Sequence, residues 1–325
     1  MTALAVSGAR KSYGEVQALD GVDFEIHPAE AVGLLGPNGS GKSTLLRSIT
    51  TLERLDAGSI TIADVDVAAA PAAARGRLGY AGQEPAIDKV MTGREFLRFQ
   101  AGVVHLPKAE IAGRVTEMLE RLDLVEAADR LCEGYSGGMK RRLDLAASLM
   151  HRPLLLVLDE PSAGLDLDAR RRLWDFLSGL RAEGTALLVA THDFEEADAL
   201  CNRVVLLSKG RVVDSGTPDD LRAGLGAFVI GASLHEHPRA GDADRLATIF
   251  AGVPGRALPP DPRRAEFDWV LTAPLDDPSA GEIWAGTLQE KARKAGTPLF
   301  SVTVRRPGLQ DVYRAAVAPP PPEEF

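Results

Sequence analysis

Three glycines, a lysine and three hydroxyl residues fall within nine positions, Gly36-Pro37-Asn38-Gly39-Ser40-Gly41-Lys42-Ser43-Thr44. Gly36, Gly41, Lys42 and Ser43 complete the spacing G-x-x-x-x-G-K-[ST]. Glycines let a backbone curl until successive N–H groups point inward at phosphate oxygens. A helix that starts at the end of the run adds its positive N-terminal pole. Lys42 can then reach the β- and γ-phosphates of a triphosphate, and the Ser43 hydroxyl can ligate Mg²⁺. Asp159 closes the apolar run 154–158. A carboxylate at such a strand end can hold Mg²⁺ directly or through water. Its neighbour Glu160 can polarise a water for attack on the γ-phosphate. His192 follows a second apolar run, 186–190, and can bond the γ-phosphate and steady that water. Ser136-Gly137-Gly138 precedes a helical stretch and is a second anion-binding design, built from a hydroxyl, glycine N–H groups and a helix N-terminus.

These groups need strands that end at one edge of a sheet. Residues 31–35 read as the buried strand ahead of the glycine run, with a helix at 43–52 after it. Strands are expected at 4–12 and 22–27, where Val22, Phe24 and Ile26 alternate with polar residues, and a turn at Ser12-Tyr13-Gly14-Glu15 lies between them. Further strands fall at 59–62, 78–81, 154–158 and 185–190, and a hairpin pairs 204–208 with 211–215. Helices fall at 139–151, 169–181 and 194–200. Residues 88–150 form a helical insertion whose first helix opens with Thr92 and Glu95 at capping-box spacing. The alternation predicts an α/β fold, with a mostly parallel sheet covered by helices on both sides. A domain boundary is expected at 217/218. Beyond it the order β-α-β-β-α-β over 227–304 is the ferredoxin-like pattern. A helix at 309–317 precedes a proline-rich end, 318–325, expected to be disordered or extended.

The 325 residues carry a net charge of −9, which gives no support to a nucleic-acid footprint. The two cysteines, Cys132 and Cys201, lack metal-ligand spacing and imply no disulfide framework. No apolar run is long enough to span a bilayer, and the N-terminus lacks the pattern of a secretion signal. Service to a membrane would go through a partner.

The glycine run, Gln83, Tyr135-Ser136-Gly137-Gly138-Met139, Asp159-Glu160-Pro161, Ser162-Ala163-Gly164-Leu165-Asp166 and His192 occur in the order of an ABC transporter ATPase subunit. The resemblance covers about residues 4–216. It implies a P-loop ABC ATPase fold, with ATP and Mg²⁺ as cofactors. Tyr13 looks like the aromatic that stacks on adenine. Gln83 looks like the glutamine that senses Mg²⁺ and links the site to the membrane partner. Ser136, Gly137 and Gly138 look like the signature that binds the γ-phosphate held by the opposite subunit, and Asp166 like the loop carboxylate that communicates across the dimer. Tyr135 stands where leucine is common, and Met139 where glutamine is common. The run 136–149, Met91-Thr92-Gly93-Arg94-Glu95 and Gly308-Leu309-Gln310-Asp311-Val312-Tyr313 resemble the daunorubicin-resistance type of exporter ATPase.

The expected function is therefore an ATPase subunit that powers a separate permease from the cytoplasmic face of the membrane, exporting a drug or other hydrophobic compound. The expected assembly is a head-to-tail homodimer in which each signature completes the other subunit's site. The rival is a soluble ABC-type ATPase acting on nucleic acid or ribosomes. Its usual marks, tandem cassettes or zinc cysteines, are missing from this sequence, and no nucleic-acid partner is expected.

Overall fold

The computed structural model describes residues 2–237, 239, 241–259, 267–271 and 279–318. The expected tail from residue 319 onward lies outside them, as does Thr272 at the end of an expected strand. The chain divides into two compact units, Met1–Ser215 and Gly216–Phe325.

The chain up to the junction runs β1 (Leu4–Tyr13), β2 (Val16–Ile26), β3 (Ala31–Leu35), α1 (Lys42–Ile49), β4 (Ala57–Ile62), β5 (Val65–Asp66), α2 (Pro71–Arg75) and β6 (Leu78–Ala81). It continues with α3 (Gly93–Val103), α4 (Lys108–Arg121), α5 (Gly137–Ser148), β7 (Leu155–Asp159), α6 (Leu167–Ala182), β8 (Ala186–Thr191), α7 (Phe194–Leu200), β9 (Arg203–Ser208) and β10 (Arg211–Gly216). Six strands form a sheet in the order β10-β9-β3-β8-β7-β6, parallel from β9 to β6. Its central strands β3 and β8 are buried at every residue, as continuous apolar runs in a covered parallel sheet must be.

Helices lie on both sides of this sheet, as the alternation of elements suggested, but on one side a helix shares the cover with a second sheet. One face packs on α1 and on a second, antiparallel sheet, β2-β1-β4-β5. Leu4, Val6, Val22, Ile60 and Ile62 from that sheet share one core with Leu45, Leu46 and Ile49 of α1 and with Leu34, Val157 and Leu188. Each such side chain, fully buried, contributes about 1.5–3 kcal/mol. The strand β2 also starts at Val16 rather than near residue 22. Register shifts in β1 after Val6, Ala9 and Lys11 break the alternation that would have marked the pairing. On the other face α7 lies close to β3, because Gly33 has no side chain: a Cβ there would sit 3.1 Å from Cys201 Sγ and 3.4 Å from Ala197 Cβ.

In the helical insertion, Thr92 caps α3 and Glu95 returns the bond to the Thr92 N–H at 2.9 Å, so the capping box is complete.

The second unit runs α8 (Pro218–Leu225), β11 (Phe228–Ser233), α9 (Asp242–Phe250), β12 (Gly255–Ala257), β13 (Phe267–Leu271), α10 (Ala280–Lys294), β14 (Ser301–Arg305) and α11 (Leu309–Ala316). The sheet order β12-β13-β11-β14, antiparallel throughout, is that of a ferredoxin-like split β-α-β. Phe228, Ile230 and Ala232 pack on Leu246, Ile249 and Phe250 of α9 and Leu288 and Ala292 of α10. Helix α8 was not anticipated, although Thr217 caps it through the Asp220 N–H at 3.1 Å and Pro218 opens it.

Helix α11 is fastened to this unit by charge. Arg314 donates to Asp268, which is 1% exposed, and to the Pro259 carbonyl at 2.8 Å. Arg305, at the end of β14, forks onto Asp311 of α11, with one arm at 2.9 Å. Removing one partner of such a buried pair strands the other at a cost of about 3–5 kcal/mol.

Candidate active site

The glycine run links β3 to α1 as expected, and its shape depends on missing side chains. A Cβ on Gly36 would lie 2.3 Å from the Leu207 carbonyl oxygen, and one on Gly41 would lie 2.5 Å from that of Ala18. Gly39 and Gly41 take φ of +81° and +111°, where L side chains are strained. No side chain caps α1 and its first turn carries no acid, so its leading N–H groups remain open to an anion.

Lys42 is 6% exposed and donates to the Gly36 carbonyl at 2.5 Å and to that of Pro37 at 3.3 Å. Burial pushes its ammonium pKa down, and the charges of Glu160 and Asp159 pull it partly back. Those two carboxylates therefore share an electrostatic neighbourhood with the lysine. Asp159, at the end of β7, has its pKa raised, first by burial and then by Glu160 beside it. A carboxylate held in that state favours a cation. Ser43 is exposed in the first turn of α1, and Gln83 is exposed in the loop after β6. Among the described residues no group of three or more His, Cys, Asp or Glu could hold a metal. A hydroxyl, a carboxylate and an amide instead suit Mg²⁺, which keeps waters and binds through substrate phosphates.

Glu160 and His192 are brought into direct contact. His192 Nδ1 lies 2.7 Å from Glu160 Oε1, and the His192 N–H donates to the same oxygen at 3.1 Å. Thr191 donates its hydroxyl to Glu160 Oε2 at 3.1 Å. A carboxylate can only accept, so Nδ1 carries the proton. In the neutral ring Nε2 is then an acceptor, able to hold a water through that water's hydrogen, and it can donate to a phosphate only as the imidazolium. Glu160 also stands at φ +49°, a left-handed conformation costing on the order of 1–3 kcal/mol for a residue with a side chain. Strain of this kind persists only where the surroundings enforce it.

Ser136 caps α5, accepting from the Met139 N–H at 3.2 Å. With Gly137 and Gly138 it lines a cleft of about 310 Å³, together with Gly164, Leu165 and Asp166. Arg142 and Arg172 also line it, and the first turn of α5 holds no acid, so the cleft favours an anion. Asp166 caps α6 through the Ala169 N–H at 2.8 Å. The structure thus unites the signature with Asp166, whereas no residue of the glycine run lines this cleft. Tyr13 is exposed at the end of β1, with its hydroxyl 3.2 Å from Glu53 and the Lys11 ammonium 5.5 Å from its ring centroid. One approach to the ring is therefore already taken by a cation.

Several site residues were not picked out from the sequence. Thr191 supports Glu160. Ser162 accepts from Trp174 Nε1 at 2.9 Å and donates to buried Glu196. Arg141 of α5 is 6% exposed and bonds three carbonyls. A usable signal existed: Arg141 and Asp144 sit on the helix face that also carries Leu145 and Ser148, where apolar residues are expected.

Asp144 Oδ2 is buried without a hydrogen-bond partner, 4.0 Å from Arg141. Burial pushes its carboxyl from 3.8 up to about 6. The folded state therefore holds the proton more tightly than the unfolded chain, so stability is lost as pH rises from about 4 through 6. Asp144→Asn is expected to raise stability at pH 7.5 by about 2 kcal/mol and to lose most of that advantage by pH 4.5. Melting curves of both proteins at the two pH values check this.

Both cysteines are buried, and burial pushes both thiols up, which leaves them unreactive.

A family profile described as ABC transporter matches residues 19–163. The chain is 39% identical over 313 residues to the daunorubicin resistance ATP-binding protein DrrA2 of Streptomyces coeruleorubidus, covering 96% of this chain and 94% of that protein. A solved ATP-binding subunit of an ABC transporter superposes with TM-score 0.64 at 31% identity, over 69% of this chain and 93% of its own. A dimeric ATP-binding cassette in a post-hydrolysis state, bound to ADP and phosphate, gives TM-score 0.60 at 25% identity, over 66% of this chain and 98% of its own. The phosphate-binding run, the paired carboxylates where β7 ends and the signature cleft have the same meaning as these similarities: the chain belongs to the ABC transporter ATP-binding subunits and is an ATPase.

Proposed function

We propose that the chain works as a head-to-tail homodimer closed on two ATP molecules, and that it powers a separate membrane permease exporting a drug or other hydrophobic compound. The observation that carries the dimer is the split between the two anion-binding elements: the Ser136 cleft is built, yet contains nothing of the glycine run. A second copy turned by two-fold symmetry brings its signature to the γ-phosphate held by Lys42 and residues 36–44. Tyr13 stacks on adenine. Ser43, Asp159 and Gln83 would hold Mg²⁺, which when bound neutralises charge on the β- and γ-phosphates. Glu160 takes a proton from the water that attacks the γ-phosphorus, His192 holds that water, and ADP leaves. The γ-phosphate no longer bridges the two copies, and the dimer loosens. Asp166, on the signature cleft, carries that change between them.

For the permease we assign the groove of about 230 Å³ beside the Gln83 loop, which Tyr80, Ala86, Phe96, Gln100 and Asp144 help line; Phe99 and Val103 of α3 are exposed. Among the described residues no helix is long and apolar enough to cross a membrane. The relatives' drug-resistance names support the export reading.

Isolation from membranes of cells expressing the chain with its neighbouring genes tests the partner. The expected result is co-purification with a multi-span membrane protein and ATP-dependent accumulation of an anthracycline in inside-out vesicles. Co-purification with ribosomes or nucleic acid would establish the rival reading instead.

A further inference from the structure

The structure assigns Arg141 as the positioning residue for Glu160. Its guanidinium donates from Nε to the Pro161 carbonyl at 3.0 Å, from one terminal nitrogen to that of Asp159 at 2.9 Å, and from the other to that of Gly82. The first two carbonyls flank Glu160 on either side. The peptide N–H of Glu160 is held separately by the Ala190 carbonyl at 2.8 Å. A residue at φ +49° is thus clamped from both neighbours, and the clamp is one planar fork that a flexible ammonium cannot reproduce.

The third carbonyl gives the clamp its reach. Gly82 immediately precedes Gln83, and Arg141 itself rides on α5, the helix whose N-terminus is Ser136-Gly137-Gly138. The loop of the catalytic carboxylate, the Gln83 loop and the signature helix therefore meet at a single buried charge. A shift of α5 as its N-terminus closes on a phosphate is delivered to the backbone on both sides of Glu160. This inference rests on Glu160 acting as the general base.

Arg141→Gln and Arg141→Lys test it, with turnover normalised to ATP-binding stoichiometry so that misfolded protein is not counted. Arg141→Gln is expected to lower kcat by roughly tenfold or more, because displacement of a reacting group by a fraction of an ångström suffices for that. Its KM for ATP should stay within about twofold, since no contact to the phosphate loop is lost. Arg141→Lys, which keeps the charge but bonds fewer carbonyls, should recover part of the loss. Normalised kcat at the wild-type level in either variant, or a change in KM alone, overturns the assignment. Glu160→Gln is measured alongside. If that variant hydrolyses ATP normally, the base reading itself has failed. If it is inactive while Arg141→Gln turns over normally, only the role of Arg141 has failed.

Discussion

Glu160→Gln is expected to lower kcat for ATP hydrolysis by about a thousandfold while leaving ATP affinity unchanged, the range for removal of a positioned general base. The substitution keeps the size and shape of the side chain. Its carbonyl oxygen can still accept from the His192 N–H, which bonds Glu160 Oε1 at 3.1 Å, and its amide N–H can donate to the Thr191 hydroxyl. What disappears is the acceptor of the water's proton. Lys42 and residues 36–41 hold the phosphates without help from Glu160, so binding survives. In the proposed dimer, ATP that is bound and not cleaved keeps bridging the two copies, and the variant is expected to accumulate as a dimer. Phosphate release in the steady state and gel filtration with Mg²⁺ and ATP read the two effects separately. A variant that hydrolyses normally removes Glu160 from the base role.

Ser136→Arg is expected to abolish the proposed ATP-dependent dimer and to lower turnover by about a hundredfold, the scale on which removal of a preorganised donor to a developing charge is felt. The mechanism is occupation. Ser136 lines a cleft of about 310 Å³, and a guanidinium anchored there would fill the space that the proposed dimer gives to the opposite copy's phosphate. Loss of the hydroxyl cap on α5 costs a further 1 kcal/mol or so, too little to unfold the insertion. The monomer's own phosphate loop is untouched, so ATP binding measured by equilibrium titration stays near wild type. An ATP-dependent dimer in this variant would sink the composite site.

The sequence marked the loop and strand ends of the candidate site and the parallel sheet, but not the antiparallel sheet that completes the core. Phosphate chemistry is local: Gly36, Gly41, Lys42 and Ser43 act through backbone and helix geometry within nine positions, so their spacing alone reveals them. Buried parallel strands were legible for a similar reason, since β3, β7 and β8 are apolar runs bounded by turns. The antiparallel sheet that closes the core was not legible, because bulges in β1 shift its register three times. Arg141 was missed because its carbonyl partners lie 18, 20 and 59 residues away and none is marked by a side chain. The Glu160–His192 contact spans 32 residues and was expected only as two separate roles on one phosphate. In the second unit the order of elements did suffice, because a β-α-β-β-α-β chain with right-handed crossovers has few other ways to close a sheet.

The ionic fastening of α11 sets an order of events on the ribosome. Central strand β11 must wait for β14, since Ile230 pairs with Val304 and Ala232 with Val302. Asp268 must wait longer, for Arg314. The second unit therefore cannot close until Arg314 has emerged, whereas the strands of the first unit are complete by Gly216. At about 5–20 residues added per second, the nucleotide-binding unit has several seconds in which to fold before its neighbour has the parts to begin.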